Sequence, residues 1–480
     1  LSITDVLLLS LVAFLTRLVL ATRWGAAMRG WVLLGLSLLA IFWLQPSMPI
    51  RFLDFWLPVL TLTITLCSWL LTAEKEQMRS KQTLVTTAFI FLLILLIALT
   101  RHLGWDDVLT ANRPPQTLQV LVGLGILAVL AFLLVWLNKS TTRWQGAGIL
   151  VLLILFIFLK LPNLTLWLSG LVRGWVGQST ANASGLDIRW LGFSYVAFRL
   201  IHTLRDRQAG RLGDVSLQAY VNYVIFFPAI SAGPIDKVQR FNKDLQQPVT
   251  RDLNSFSDAF YRIIVGLFKK YTLADTLALV ALNSQNATQI QSNGWGWLLV
   301  YAYAFQIYFD FSGYTDIAIG LGKLLGIQLP ENFSRPYLKP NLTQFWNNWH
   351  MTLTQWFRAY FFNPFTRLLR TRYRTLSPAW VILITQLSTM LLIGLWHGIT
   401  WNFVLWGVWH GLGLFVHNRY SEWVRPRLAG WGDRPRLQHA MNVLNVLVTF
   451  HFVALGWVWF ALPQVSPSLQ VFARLFGIGY

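Results

Sequence analysis

Uninterrupted apolar runs of about 20 residues recur along this chain, and no other feature restricts its fold so tightly. Leu118 to Leu137 is the plainest of them. A run of that length matches the hydrocarbon core of a bilayer when wound as a helix, and its backbone groups are then satisfied internally. Barrel strands would instead alternate in polarity over roughly ten residues. Composition agrees: 12% of the residues are charged and 55% hydrophobic, with a mean hydropathy of +0.50, whereas soluble domains average about 25% charged. The runs predict an all-α, polytopic membrane protein.

The net charge of +20 would suggest nucleic acid in a soluble chain. Here the basic residues fall between the apolar runs, so the positive-inside rule accounts for them, and no nucleic-acid partner is expected; the bilayer is. The single cysteine, Cys67, excludes an intrachain disulfide and a multi-cysteine metal site. The first run carries Asp5 in place of a basic leader region, which reads as a retained span.

Six simple spans come first: Val6 to Ala21, Trp31 to Leu44, Leu53 to Thr72, Thr83 to Thr100, Leu118 to Leu137 and Ala147 to Leu168. Residues 1–145 read as an N-terminal scaffold of transmembrane helices, and 146–480 as the core that carries chemistry. Beyond the scaffold the spans acquire polar residues. Asp310 and Asp316 interrupt the run Trp295 to Leu325, a costly placement that demands partners or a polar cavity. Pro330, Pro336 and Pro340 force an irregular segment. Trp346, Trp349, His350, Leu353, Trp356, Phe357 and Tyr360 then recur at helical spacing, which predicts one helix over Phe345 to Phe365 with His350 at its middle. Arg367, Arg370, Arg372 and Arg374 close that segment and read as cytoplasmic.

Three of the eight histidines directly follow a tryptophan within this region: His350, His397 and His410. An imidazole suits general-base work near neutral pH. His397 precedes Gly398 at the break between two spans, where the missing side chain leaves room for a substrate. His350 lies on the aromatic face, and His410 inside an ordinary apolar helix, which reads as packing. No G-x-S-x-G elbow, Walker lysine motif or His-Glu-x-x-His is present, and no metal is expected. Arg358 has the chemistry to fix a phosphate or carboxylate.

Seven blocks in this order resemble the membrane-bound O-acyltransferases, in the branch that acetylates alginate or carries D-alanine to teichoic acid. They are Leu191-Gly192-Phe193-Ser194-Tyr195, Phe227-Pro228 through Gly233-Pro234-Ile235-Asp236, Gly266-Leu267-Phe268-Lys269-Lys270, and Tyr308-Phe309-Asp310-Phe311-Ser312-Gly313-Tyr314. Pro330-Glu331-Asn332-Phe333, Phe345-Trp346-Asn347-Asn348-Trp349-His350 and Gly394-Leu395-Trp396-His397-Gly398 complete the set.

The resemblance implies roughly 11–13 helices, some re-entrant or interfacial, around a buried funnel. It implies His397 as the principal catalytic residue and His350 as its partner. Trp346, Asn347, Trp349, Arg358, Trp396 and Asp310 are the expected substrate-binding residues. No bound cofactor is expected. The implied donor is acetyl-CoA or an acylated carrier-protein thioester, used from the cytoplasm. The acceptor is a hydroxyl of an extracytoplasmic polysaccharide, reached with an extracytoplasmic relay or acetyltransferase partner. The implied location is the bacterial cytoplasmic membrane, multi-pass. The chain departs from the family pattern at Ala359, where a carboxylate usually faces Arg358, and at Ala461. D-alanyl transfer from a carrier protein is the alternative acyl chemistry. A transporter or flippase with a His/Asp proton relay, and a structural subunit, are the readings without covalent chemistry.

Overall fold

The computed structural model describes residues 2–105, 108–137, 142–249, 252–428 and 435–478. The loop 429–434, within the basic stretch Arg419 to Arg436, and residues 138–141 of the loop Asn138 to Gln145 lie outside them. The described residues form helices and connecting loops with no strand among them, and seven helices are long and apolar enough to cross a membrane. The chain is a multi-pass membrane protein. It divides into two compact units, one of residues 1–263 and 317–330, the other of 264–316 and 331–480.

In the first unit, apolar helices are tied together by buried arginines that donate to backbone carbonyls. Arg29, from helix Arg23–Trp43, reaches the carbonyls of Asp244 at 2.7 Å, Leu325 at 3.0 Å and Gly326 at 2.9 Å. Gly326 has φ +76°, and a Cβ there would lie 2.7 Å from the guanidinium, so this turn needs glycine twice over. Arg199 does the same for the bend after helix Leu217–Ile225, donating to Val224 O at 2.6 Å and Ala229 O at 2.7 Å. Such charge-assisted bonds satisfy carbonyls that an irregular backbone would otherwise strand away from water. Hydroxyls inside the long helices close on their own backbone: Thr65 donates to Thr61 O at 2.6 Å.

The second unit is built on a helical hairpin, Pro378–His397 followed by Trp401–Leu428. Ser377 caps the first helix by accepting from Trp380 N. Glycines set how closely the two helices lie. A Cβ on Gly394 would sit 2.3 Å from Phe403 O, and one on Gly407 would sit 2.8 Å from Met390 O. Small residues at this spacing permit backbone contact between membrane helices. His397 is therefore the last helical residue at the tip of a tightly closed hairpin. Helix Pro435–Ala461 packs against the second arm and brings Phe452, Trp457 and Phe460 to it.

The stretch Phe345 to Phe365 is not one helix. Helix Leu342–Asn348 ends, Trp349 and His350 form a bend, and helix Met351–Phe357 begins afresh. The aromatic spacing survives the break, which is why periodicity concealed it. The cause is Asn332, far away in sequence. Its backbone oxygen accepts from Met351 N at 2.9 Å, and its side-chain oxygen accepts from Thr352 N at 3.1 Å and Thr352 Oγ1 at 2.7 Å. An outside carbonyl and carboxamide thus take the N–H groups that a continuous helix would use. The long segment Phe256 to Leu282 is interrupted too: a wide π-helical turn, Phe268–Ala274, holds Lys269 and Lys270.

Candidate active site

His350 occupies the bend. Its backbone is left-handed, φ 42° and ψ 53°, a conformation that costs a non-glycine residue about 1–2 kcal/mol. Strain of this kind persists only where surroundings over-determine it, and here Asn332 does so. The ring is buried, edge-on to Phe311 at 4.6 Å between centroids. Burial pushes its imidazole down to about 3. His350 is therefore neutral at physiological pH and suited to orienting a partner by hydrogen bonding, not to holding a proton.

His397 is only partly buried. Its ring lies among Trp396 at 4.4 Å, Phe460 at 4.7 Å, Trp406 at 5.7 Å and Phe403 at 5.9 Å. Trp396 also lies 6.2 Å from His350. One indole thus touches both histidines, which stand 47 residues apart in sequence. His397 thus combines partial exposure with aromatic walls.

The remaining expected residues divide. A cavity of about 210 Å³ is lined by Trp346, Asn347, Arg358, Gln386, Met390 and Ile393, among others. Gln386, Met390 and Ile393 follow helical spacing on Pro378–His397, and Ile393 is one turn, about 6 Å, before His397. Arg358 donates to Asn347 Oδ1 at the cavity. The Asn347 carboxamide thus takes up the Arg358 guanidinium. Trp349 lies with the aromatic core instead, 5.0 Å from Trp457 and 5.2 Å from Phe333.

The two carboxylates of helix Asn293–Leu324 have different settings. Asp316 is buried and pairs with Lys269 at 2.7 Å. Asp310 is half exposed and pairs with Lys270. Its next neighbour, Phe311, is the residue that touches His350. Both lysines come from the π-helical turn, a feature that often marks functional sites.

Phe460, Phe403 and Trp406 around His397, and Asn332 behind His350, escaped the reading of the sequence. Asn332 sits in the Pro330-Glu331-Asn332-Phe333 block, and an amide next to irregular backbone was the available signal. The three aromatics gave none, since Phe and Trp are common throughout the chain.

Residues 38–458 match the sequence model of the MBOAT, membrane-bound O-acyltransferase family. The chain is 30% identical over 303 residues to the teichoic acid D-alanyltransferase of Streptococcus thermophilus, covering 59% of this chain and 71% of that protein. It is 32% identical over 356 residues to the probable alginate O-acetylase AlgI of Pseudomonas syringae pv. tomato, covering 71% of this chain and 61% of the relative. It is 34% identical over 268 residues to the peptidoglycan O-acetyltransferase of Helicobacter pylori, covering 54% and 46%.

Proposed function

The chain belongs to the membrane-bound O-acyltransferase family, and we propose that it moves an acetyl group from a cytoplasmic thioester to hydroxyls of an extracytoplasmic polysaccharide. The observation that carries this reading is the pair of histidines joined by Trp396, with a largely apolar cavity that holds Asn347 and Arg358 one helical turn from His397. His397 takes the proton of the acceptor hydroxyl as its oxygen attacks the thioester carbonyl. The tetrahedral intermediate then collapses, the C–S bond breaks, and the thiol leaves with the proton returned by His397. His350, neutral and fixed at its bend, orients the reacting groups by hydrogen bonding.

Arg358 and Asn347 hold polar groups of the donor in the cavity, with Trp346 as an apolar wall, and Trp396 packs the acyl chain between the two histidines. Asp310 and Trp349 support the site from their neighbours Phe311 and His350. The exposed arginines 367, 370, 372 and 374 give the donor's negative charge a landing place on the cytoplasmic face. The donor is acetyl-CoA or an acylated carrier protein. An extracytoplasmic acyl-relay or acetyltransferase protein receives the group, in a bacterial cytoplasmic membrane. Residues 1–145 serve as scaffold, and 146–480 as the catalytic core.

D-alanyl transfer is the second reading, favoured by the identity to the Streptococcus thermophilus relative. Mass spectrometry of surface glycans from cells with and without the gene tests both. An acetyl increment lost on deletion supports the first, and an alanyl increment the second. Unchanged glycans would refute transfer to a surface polysaccharide.

A further inference from the structure

The third Trp-His pair has no part in the chemistry above, yet its environment is hard to explain as packing alone. His410 is fully buried. Its ring meets Trp406 at 4.8 Å, Trp346 at 5.1 Å and Phe452 at 5.9 Å. Gly456 closes the slot, for a Cβ there would lie 2.7 Å from His410 Nε2. Among the described residues neither ring nitrogen has a hydrogen-bond partner, and neither do Trp346 Nε1 and Trp406 Nε1. Burying polar nitrogens in this way costs stability, so an aliphatic side chain would serve the fold better.

Both tryptophans held by His410 belong to the site. Trp406 stands near-perpendicular to the His397 ring at 5.7 Å, and Trp346 lines the cavity and meets Trp406 at 5.6 Å. We propose that His410 is a positioning residue. Its flat ring, seated under Gly456, sets the planes of Trp406 and Trp346 and so aims His397 at the cavity. The inference rests on the proposed role of His397.

The test uses the full chain in proteoliposomes, with radiolabelled acetyl-CoA as donor and cell-envelope polysaccharide as acceptor. His410→Ala removes the ring that holds the indoles. It is expected to lower kcat about 10- to 100-fold while donor KM changes less than about twofold, with size-exclusion behaviour unchanged. Trp406→Phe is expected to lower kcat similarly, and the double variant to fall no further than the worse single, the mark of two residues acting through one contact. If His410→Ala does not fold, Gly456→Ala applies the same displacement from the other side and should show the same loss in kcat alone.

Wild-type kcat in folded His410→Ala or Gly456→Ala, or additive losses in the double variant, would overturn the proposal. His397→Ala is the control that separates the two readings. If it is inactive while His410→Ala is fully active, only the positioning role fails. If it retains transfer, the catalytic reading fails first.

Discussion

Gly394→Ala puts a methyl group where the hairpin is tightest, one turn before His397. The new Cβ would sit 2.3 Å from Phe403 O, and ordinary contact begins at 3.4 Å. The tip must therefore open by about 1 Å. A misplacement of that size at a reacting group costs about 100-fold in rate. The rest of the hairpin keeps its contacts at Gly407 and Gly411, so the protein should still fold and insert. The assay is single-turnover acyl transfer from a labelled thioester in proteoliposomes, beside a melting curve in detergent. The expected result is a kcat loss of about two orders of magnitude with a Tm shift of only a few degrees. Full kcat in a folded variant would refute the argument that hairpin closure places His397.

Other consequences follow from single contacts. Asn332→Ala removes the carboxamide that accepts from Thr352 N and Oγ1, a loss of about 1–3 kcal/mol. It should lower both Tm and kcat, because the His350 bend loses its anchor. The His350 imidazole is held at about 3 against roughly 6.5 unfolded. Its contribution to stability is complete above pH 6.5 and is lost as pH falls toward 3, so His350→Gln should flatten the Tm-against-pH slope in that window. Transfer rate should show no acidic limb from His350 above pH 4; a limb that disappears on its replacement would contradict the neutral assignment. Arg358→Lys replaces a planar fork with a point charge and should raise donor KM more than it lowers kcat, measured under the same conditions.

Much of this was written in local sequence. Apolar runs such as Leu53 to Thr72 and Ser377 to Trp396 announced helices, because a span must be long, continuous and free of charge to lie in lipid. The place of His397 at the end of a span was legible for a related reason: the apolar run stops there, at Gly398. The bend at His350 was not legible. The 346, 349, 350, 353 spacing fits one unbroken helix, and what breaks it is a set of hydrogen bonds from Asn332, a contact no local pattern encodes. The settings of Asp310 and Asp316 were equally hidden, since the helix period places six residues only about 120° apart around the axis and packing decides which side is covered. The aromatic walls of His397 come from three separate helices, and abundance alone hid Phe460 among the chain's 33 phenylalanines.

The most direct test of the central claim is acyl transfer by His397→Ala, purified, reconstituted and shown to be folded. Transfer is expected at background while donor binding persists. A variant that still transfers at the wild-type rate would contradict that claim.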